Sequence, residues 1–134
     1  MIGLVRGFVE CKYPREVMID AGPEQGGVGY LVRCDARTLD VIEPRTRLAL
    51  FTCLVLREDS QTLYGFLTIE EREFFEWLIG LHQVGPSLAL ALMGEMKPDE
   101  LRKALKSGQV SRLTSIHGIG KKTAERLIEA YAKH

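Results

Sequence analysis

At 134 residues, with 46% hydrophobic and 27% charged side chains, the chain has the composition of an ordinary soluble protein of one or two small domains. Its apolar runs are too short and interrupted to span a bilayer, and Met1-Ile2-Gly3-Leu4-Val5-Arg6 lacks the continuous apolar core of a signal peptide, so a cytoplasmic protein with no membrane association is expected. Cys11, Cys34 and Cys53 are odd in number and widely spaced, and His82, His117 and His134 form no ligand cluster; buried thiols are expected rather than a disulfide, and neither a metal nor a cofactor.

The first half of the chain reads as strands. Gly3 to Glu10, Glu16 to Asp20, Val28 to Cys34, Arg47 to Arg57 and Thr62 to Leu67 are rich in β-branched and aromatic residues and are bounded by Gly, Pro and Asp turn signals. A short helix is read at Ala36 to Val41. Five short strands with one small helix and no long crossover predict a closed or nearly closed antiparallel barrel of the OB type, with a small sandwich as the alternative. Tyr30 and Tyr64 are the aromatic candidates for base stacking, against a plainer role in the core or in strand pairing. Between the last two strands, Arg57-Glu58-Asp59-Ser60 forms a polar hairpin tip on two apolar arms that look longer than a small barrel needs.

Period two gives way to period 3.6 at about residue 67, which divides the chain into a barrel domain, 1–67, and an all-α domain, 68–134. Thr68 and Glu71 make a capping box for a helix with Phe74, Phe75, Leu78 and Leu81 inward. Pro98 starts another helix with Leu101, Ala104 and Leu105 inward, Gly108 ends it, and Val110 and Leu113 fit a short helix after that.

The stretch His117-Gly118-Ile119-Gly120-Lys121-Lys122-Thr123-Ala124 has the layout of an anion site. Ala124, Leu127, Ile128 and Tyr131 recur at helical spacing, so Lys121 and Lys122 fall in the first turn, where unpaired backbone N–H groups and the positive end of the helix dipole favour a phosphate. Two lysines there oppose the dipole, a conflict that a bound anion offsets. An isolated G-x-G would be only a turn with solvated lysines, but this one is repeated. Leu78 to Leu92 overlays Leu113 to Leu127 without a gap, pairing Leu81 with Ile116, His82 with His117, Val84 with Ile119, Gly85 with Gly120 and Ala89 with Ala124. The repeat predicts two helix–hairpin–helix units and two phosphate sites, suited to the two strands of a duplex. Gln83 and Ser87 stand where the second copy has Gly118 and Lys122, which makes the first loop stiffer and removes its charge.

Formal net charge is zero, but it is unevenly spread: 68–100 carries a balance of −5 and 101–134 a balance of +6. That segregation fits either a basic face for DNA or an internal match between acidic and basic helices.

Met1-Ile2-Gly3, Gly27-Val28-Gly29-Tyr30, Leu54 to Asp59, Leu63-Tyr64-Gly65-Phe66, Val84-Gly85-Pro86 and Gly118 to Ile128 together resemble the RuvA family, the Holliday-junction-binding subunits of the bacterial branch-migration machine. The resemblance runs in order over almost the whole chain. It implies an α+β protein with an OB-fold domain followed by a tandem helix–hairpin–helix domain, and a homotetramer that holds a four-way DNA junction open while a RuvB-type motor pumps the arms. It implies that Glu58 and Asp59 are an acidic pin at the crossover. Gly118, Ile119, Gly120, Lys121 and Lys122 become the phosphate contacts of the second hairpin, and Val84, Gly85, Pro86 and Ser87 those of the first.

The chain departs from the family at Gln83, usually glycine, and at Ser87, usually lysine, which puts the grip of the first hairpin in question. Ala21 to Gly26 looks longer than the family's loop, and Lys97 replaces a helix-capping serine. The family continues into a third domain that docks on the motor, whereas this chain ends at His134, so junction recognition without motor recruitment is expected. A rival reading is a base-excising enzyme of the helix–hairpin–helix kind. It needs a catalytic carboxylate or lysine beyond the hairpin, yet no Asp follows Gly120 and no nucleophile–base constellation is evident, so a non-catalytic protein is expected. A third reading is an interaction module whose charges pair internally. It separates from the DNA reading by whether Lys121 and Lys122 are exposed on the side of Gly85.

Overall fold

The computed structural model describes residues 1–24 and 26–133. Gln25, in the long loop 21–26, and His134, among the three histidines, lie outside the described residues. The chain divides into two compact units, Met1–Glu73 and Phe74–His134.

In the first unit, β1 (Leu4–Lys12), β2 (Glu16–Asp20), β3 (Gly29–Arg33), β4 (Arg47–Leu56) and β5 (Gln61–Phe66) close into a five-stranded barrel in the order β1-β2-β3-β5-β4. Four seams are antiparallel, but β3 runs parallel to β5, pairing Val32 with Leu63 and Arg33 with Tyr64. The expectation of a wholly antiparallel barrel is corrected at this seam. The connection through α1 (Ala36–Val41) returns the chain between β3 and β4, and α1 supplies buried Leu39 to the barrel interior. Alternating Val5, Val9, Val17, Ile19, Val32, Leu50 and Leu63 fill the rest of that interior, as period two dictates when one strand face is buried. Tyr64 is buried and Tyr30 packs partly buried against the core, so both take the plainer role.

Local chemistry fixes the ends of these elements. Asp35 caps α1 by accepting from Thr38 N–H at 2.8 Å, and burial raises the Asp35 carboxyl above the usual range. Asp20, buried at the end of β2, accepts from the N–H groups of Gly22 at 2.8 Å, Gly26 at 2.6 Å and Gly27 at 2.9 Å. These bonds, Gly22 first, hold its carboxyl below the usual range. A Cβ at Gly7 would overlap the carbonyl of Asp20, so the residue that lets β1 and β2 close has no tolerable substitute. Of the cysteines, Cys34 is buried and its thiol is pushed up to about 12, whereas Cys11 and Cys53 are half-buried, which corrects the expectation that all three are interior.

Helix α2 (Ile69–Ile79) starts at Thr68, whose hydroxyl accepts from Glu71 N–H at 3.1 Å. The second unit continues with α3 (Pro86–Glu95), α4 (Pro98–Lys106), α5 (Val110–Thr114) and α6 (Lys121–Ala132). Its core gathers Phe75, Leu78, Leu92, Leu101, Leu105, Leu113 and Leu127, all essentially inaccessible. Leu81, expected on the inner face of α2, sits half-buried in the turn after Ile79 instead. Trp77 meets Tyr131 edge to face at 5.7 Å, fastening the end of α2 to α6. Helix α4 ends in a Schellman turn: Gln109 N–H bonds Ala104 O at 3.0 Å, Gly108 N–H bonds Leu105 O at 3.3 Å, and Gly108 takes φ +65°. Among the described residues no helix is long and apolar enough to cross a membrane.

Candidate nucleic-acid interface

The two halves of the helical unit are repeats at the level of individual hydrogen bonds. In the first, Leu81 N–H bonds Leu78 O at 3.1 Å, Val84 N–H bonds Leu81 O at 3.1 Å and Ala89 N–H bonds Gly85 O at 3.0 Å. In the second, Ile116 bonds Leu113, Ile119 bonds Ile116 and Ala124 bonds Gly120 in the same way, at 3.1, 3.1 and 3.0 Å. The paired apolar positions Leu78 and Leu113, Val84 and Ile119, Ala89 and Ala124, and Leu92 and Leu127 are all buried. Each turn is therefore anchored from below by Val84 or Ile119, while Gly85 in the first and Gly118 and Gly120 in the second are exposed.

The residues that begin α3 and α6 share a backbone conformation: Gly85 at φ −93°, ψ 174° and Gly120 at φ −90°, ψ 176°. Neither makes a side-chain cap, neither helix has an acid in its first turn, and an added Cβ would meet nothing within 4 Å of either glycine. The N–H groups at both helix starts thus open on space that an anion can enter. Pro86 at the first position of α3 has no N–H to offer, so the first turn presents one donor fewer than the second, where Lys121 occupies that place.

Two residues earlier, Gly118 takes φ +91° and Gln83 takes φ +64°. Sequence reasoning expected Gln83 to make the first loop stiffer; in the fold glutamine adopts the left-handed conformation that glycine adopts in the second copy, at a cost of about 1–2 kcal/mol. Its side chain explains how the conformation is held, because Gln83 Oε1 accepts a hydrogen bond from Arg126 Nη1 on α6. Arg126 is thus a residue that the motif reading missed. Its spacing from Lys122 was the available signal, since residues four apart share a helix face.

This contact locates the charge. Lys121 and Lys122 are exposed, and Lys122 and Arg126 form a row on α6 that reaches the first turn at Gln83. One cation of the second hairpin's helix, Arg126, thus reaches the turn of the first. Between the acidic and basic segments, Arg102 pairs with Asp99 at 3.6 Å and Arg112 with Glu100 at 3.4 Å. Lys121 approaches Glu125 at 4.0 Å, both well exposed, which contributes little.

On the barrel, the chain turns from β4 to β5 through 57–60, closed by Arg57 N–H to Ser60 O at 2.9 Å. β1 pairs with β4 only as far as Phe51, with Thr52 N–H still bonded to Gly3 O, while the β4–β5 ladder runs on through Val55↔Thr62 to Leu56↔Gln61. The end of this hairpin is a two-stranded ribbon standing clear of the barrel, and Leu56 to Gln61 are all exposed. Glu58 and Asp59 have no salt-bridge partner among the described residues.

Residues 1–65 match the family model described as RuvA N terminal domain, and residues 75–133 match the model described as SAM-like Helix-hairpin-helix tandem. The chain is similar to the Holliday junction branch migration complex subunit RuvA of Pseudomonas fluorescens, 46% identical over 132 residues that cover 96% of this chain and 62% of the relative. It is similar also to the subunit of the same name from Chloroflexus aurantiacus, 40% identical over 129 residues, 96% of this chain and 64% of the relative. The chain thus spans somewhat under two thirds of the length of these curated relatives. A barrel and a hairpin tandem matched in this order, with such identity along nearly the whole chain, place it by common descent: it belongs to the RuvA family.

Proposed function

We propose that the chain binds four-way DNA junctions by backbone and shape, as the junction-holding part of a branch-migration assembly. The observation that carries this reading is the pair of like-built turns, at Gly85 and Gly120, joined by the exposed row Lys122, Arg126 and Gln83. Two turns of one conformation on one unit suit two phosphates of a repeating backbone, and phosphate contacts position a duplex without reading its sequence. In this reading Gly118, Ile119, Gly120, Lys121 and Lys122 form the second grip, and Val84, Gly85, Pro86 and Ser87 the first. Glu58 and Asp59 act as the acidic pin. The barrel, 1–67, carries the pin and the helical part, 68–134, carries both grips.

Four copies around a junction would bring four acidic tips to the crossover, where their charge keeps the strands apart. The protein itself performs no bond chemistry in this account; the ATP-driven movement of the arms belongs to a RuvB-type motor. The test is a gel-shift comparison of a synthetic four-way junction with a linear duplex of the same sequence. Tighter binding of the junction, with little base preference and a steep fall with salt, is the expected result. Equal affinity for the two at moderate salt would overturn junction specificity.

A further inference from the structure

We propose that Arg126, although carried by the second hairpin's helix, supplies the cation of the first hairpin, with Gln83 as the residue that aims it. The inference rests on the DNA-binding reading above and adds to it a contact that neither hairpin motif contains. The first turn lacks a positive charge of its own, because Ser87 stands at the position equivalent to Lys122. The guanidinium of Arg126 is brought to that turn by its hydrogen bond to Gln83, two residues before the glycine that opens α3.

Three features favour a role toward an external anion. The first is the nature of the partner. Arg102, Arg112, Lys121 and Lys133 each approach a carboxylate, but Arg126 is held by a neutral amide and, among the described residues, by no carboxylate, so its charge is oriented without being compensated there. One Nη1 bond also leaves other donors of a five-donor fork for a phosphate. The second is helix placement. Lys122 and Arg126 are an exposed i,i+4 pair of like charge, which by itself is unfavourable in a helix, and an anion between them would offset that repulsion. The third is the backbone. A glycine at 83 would relax the left-handed turn but could not accept from Arg126, so the strained glutamine is intelligible as the residue that makes the bond.

The experiment measures binding of the synthetic junction by the full chain at salt concentrations from 50 to 200 mM for the parent and for Arg126→Gln, Arg126→Lys, Gln83→Gly and the Arg126→Gln/Gln83→Gly pair. Arg126→Gln is expected to lower the log–log salt slope by about one unit per bound protomer, so that its deficit relative to the parent shrinks about three- to four-fold across that range for each protomer bound. Arg126→Lys should keep the slope. Gln83→Gly should keep the slope but weaken binding, and should weaken it no further once Arg126 is gone. Both side chains are exposed, so folding should survive, as circular dichroism would verify; Arg126→Ala is the substitute should the glutamine variant melt.

An unchanged slope in Arg126→Gln, or equal effects of Gln83→Gly with and without Arg126, overturns the proposal. Lys121→Ala with Lys122→Ala, run alongside, separates the two levels. If that pair lowers the slope and Arg126→Gln does not, the assignment of Arg126 falls alone. If neither lowers it, the DNA-binding reading falls with it.

Discussion

Gly118 and Gly120 stand one residue apart in one turn, yet they are glycines for different reasons. Gly118 needs the left-handed region, while Gly120 has an extended backbone that any residue adopts and matters for the open space above its N–H. Gly118→Ala should therefore lower the unfolding free energy by about 1–2 kcal/mol, all of it backbone, since nothing lies within 4 Å of the new Cβ. Gly120→Ala should cost less than about 1 kcal/mol, the lost flexibility of the unfolded chain offsetting a poorer cap, but, if Gly120 belongs to the proposed phosphate grip, should weaken DNA binding more, by placing a methyl group in the phosphate's path. Urea melts and gel shifts on the two variants check this order, and the reverse order would mean that Gly120 is structural. His117-Gly118-Ile119-Gly120 was readable as a motif, but the division of labour inside it was not, because it depends on φ angles that a G-x-G pattern does not specify.

At the scale of elements, the loop from β2 to β3 is organised by one carboxylate. Asp20 collects three backbone donors, and its depressed carboxyl value has a definite sign: the stabilisation is present above the unfolded value near 3.8 and is lost as pH falls through the lower folded value. Asp20→Asn should therefore lower the melting temperature most near neutral pH, with the difference from the parent narrowing in strong acid. Thermal melts at pH 2, 4 and 7 decide it, and a pH-independent difference would assign the effect to shape rather than charge. The same element scale holds the pin ribbon. Its arms could be seen in the sequence as longer than the barrel requires, but the point at which β1 stops pairing, at Phe51, follows from barrel closure.

At the scale of the whole molecule, the pin and the grips have opposite charges and, in the proposed assembly, opposite tasks. If the tips of Glu58 and Asp59 meet phosphates at a crossover, their repulsion is less screened than at an open surface. Glu58→Gln with Asp59→Asn should then bind junctions as well as or better than the parent and gain affinity for plain duplex, so that discrimination between them falls. Sedimentation or light scattering run alongside should find the variant in the parent's oligomeric state. Loss of junction affinity in a folded variant would mean that the carboxylates make favourable contacts, and the pin assignment would be wrong.

Local pattern determined most of the elements. Alternation of valine and isoleucine specified the strands, Thr68, Pro98 and Gly108 punctuated the helices, and the repeat of Leu78–Leu92 in Leu113–Leu127 announced the tandem, because each of these signals acts within a few residues of chain. The parallel seam between β3 and β5, the half-burial of Cys11 and Cys53, and the meeting of Gln83 with Arg126 join residues far apart in sequence and depend on how packed elements close on one another. Gln83 is the clearest instance. Read alone, it marks a weakened copy of a glycine turn; in the fold, its left-handed backbone and its bond to α6 give it a partner that no spacing rule would have assigned.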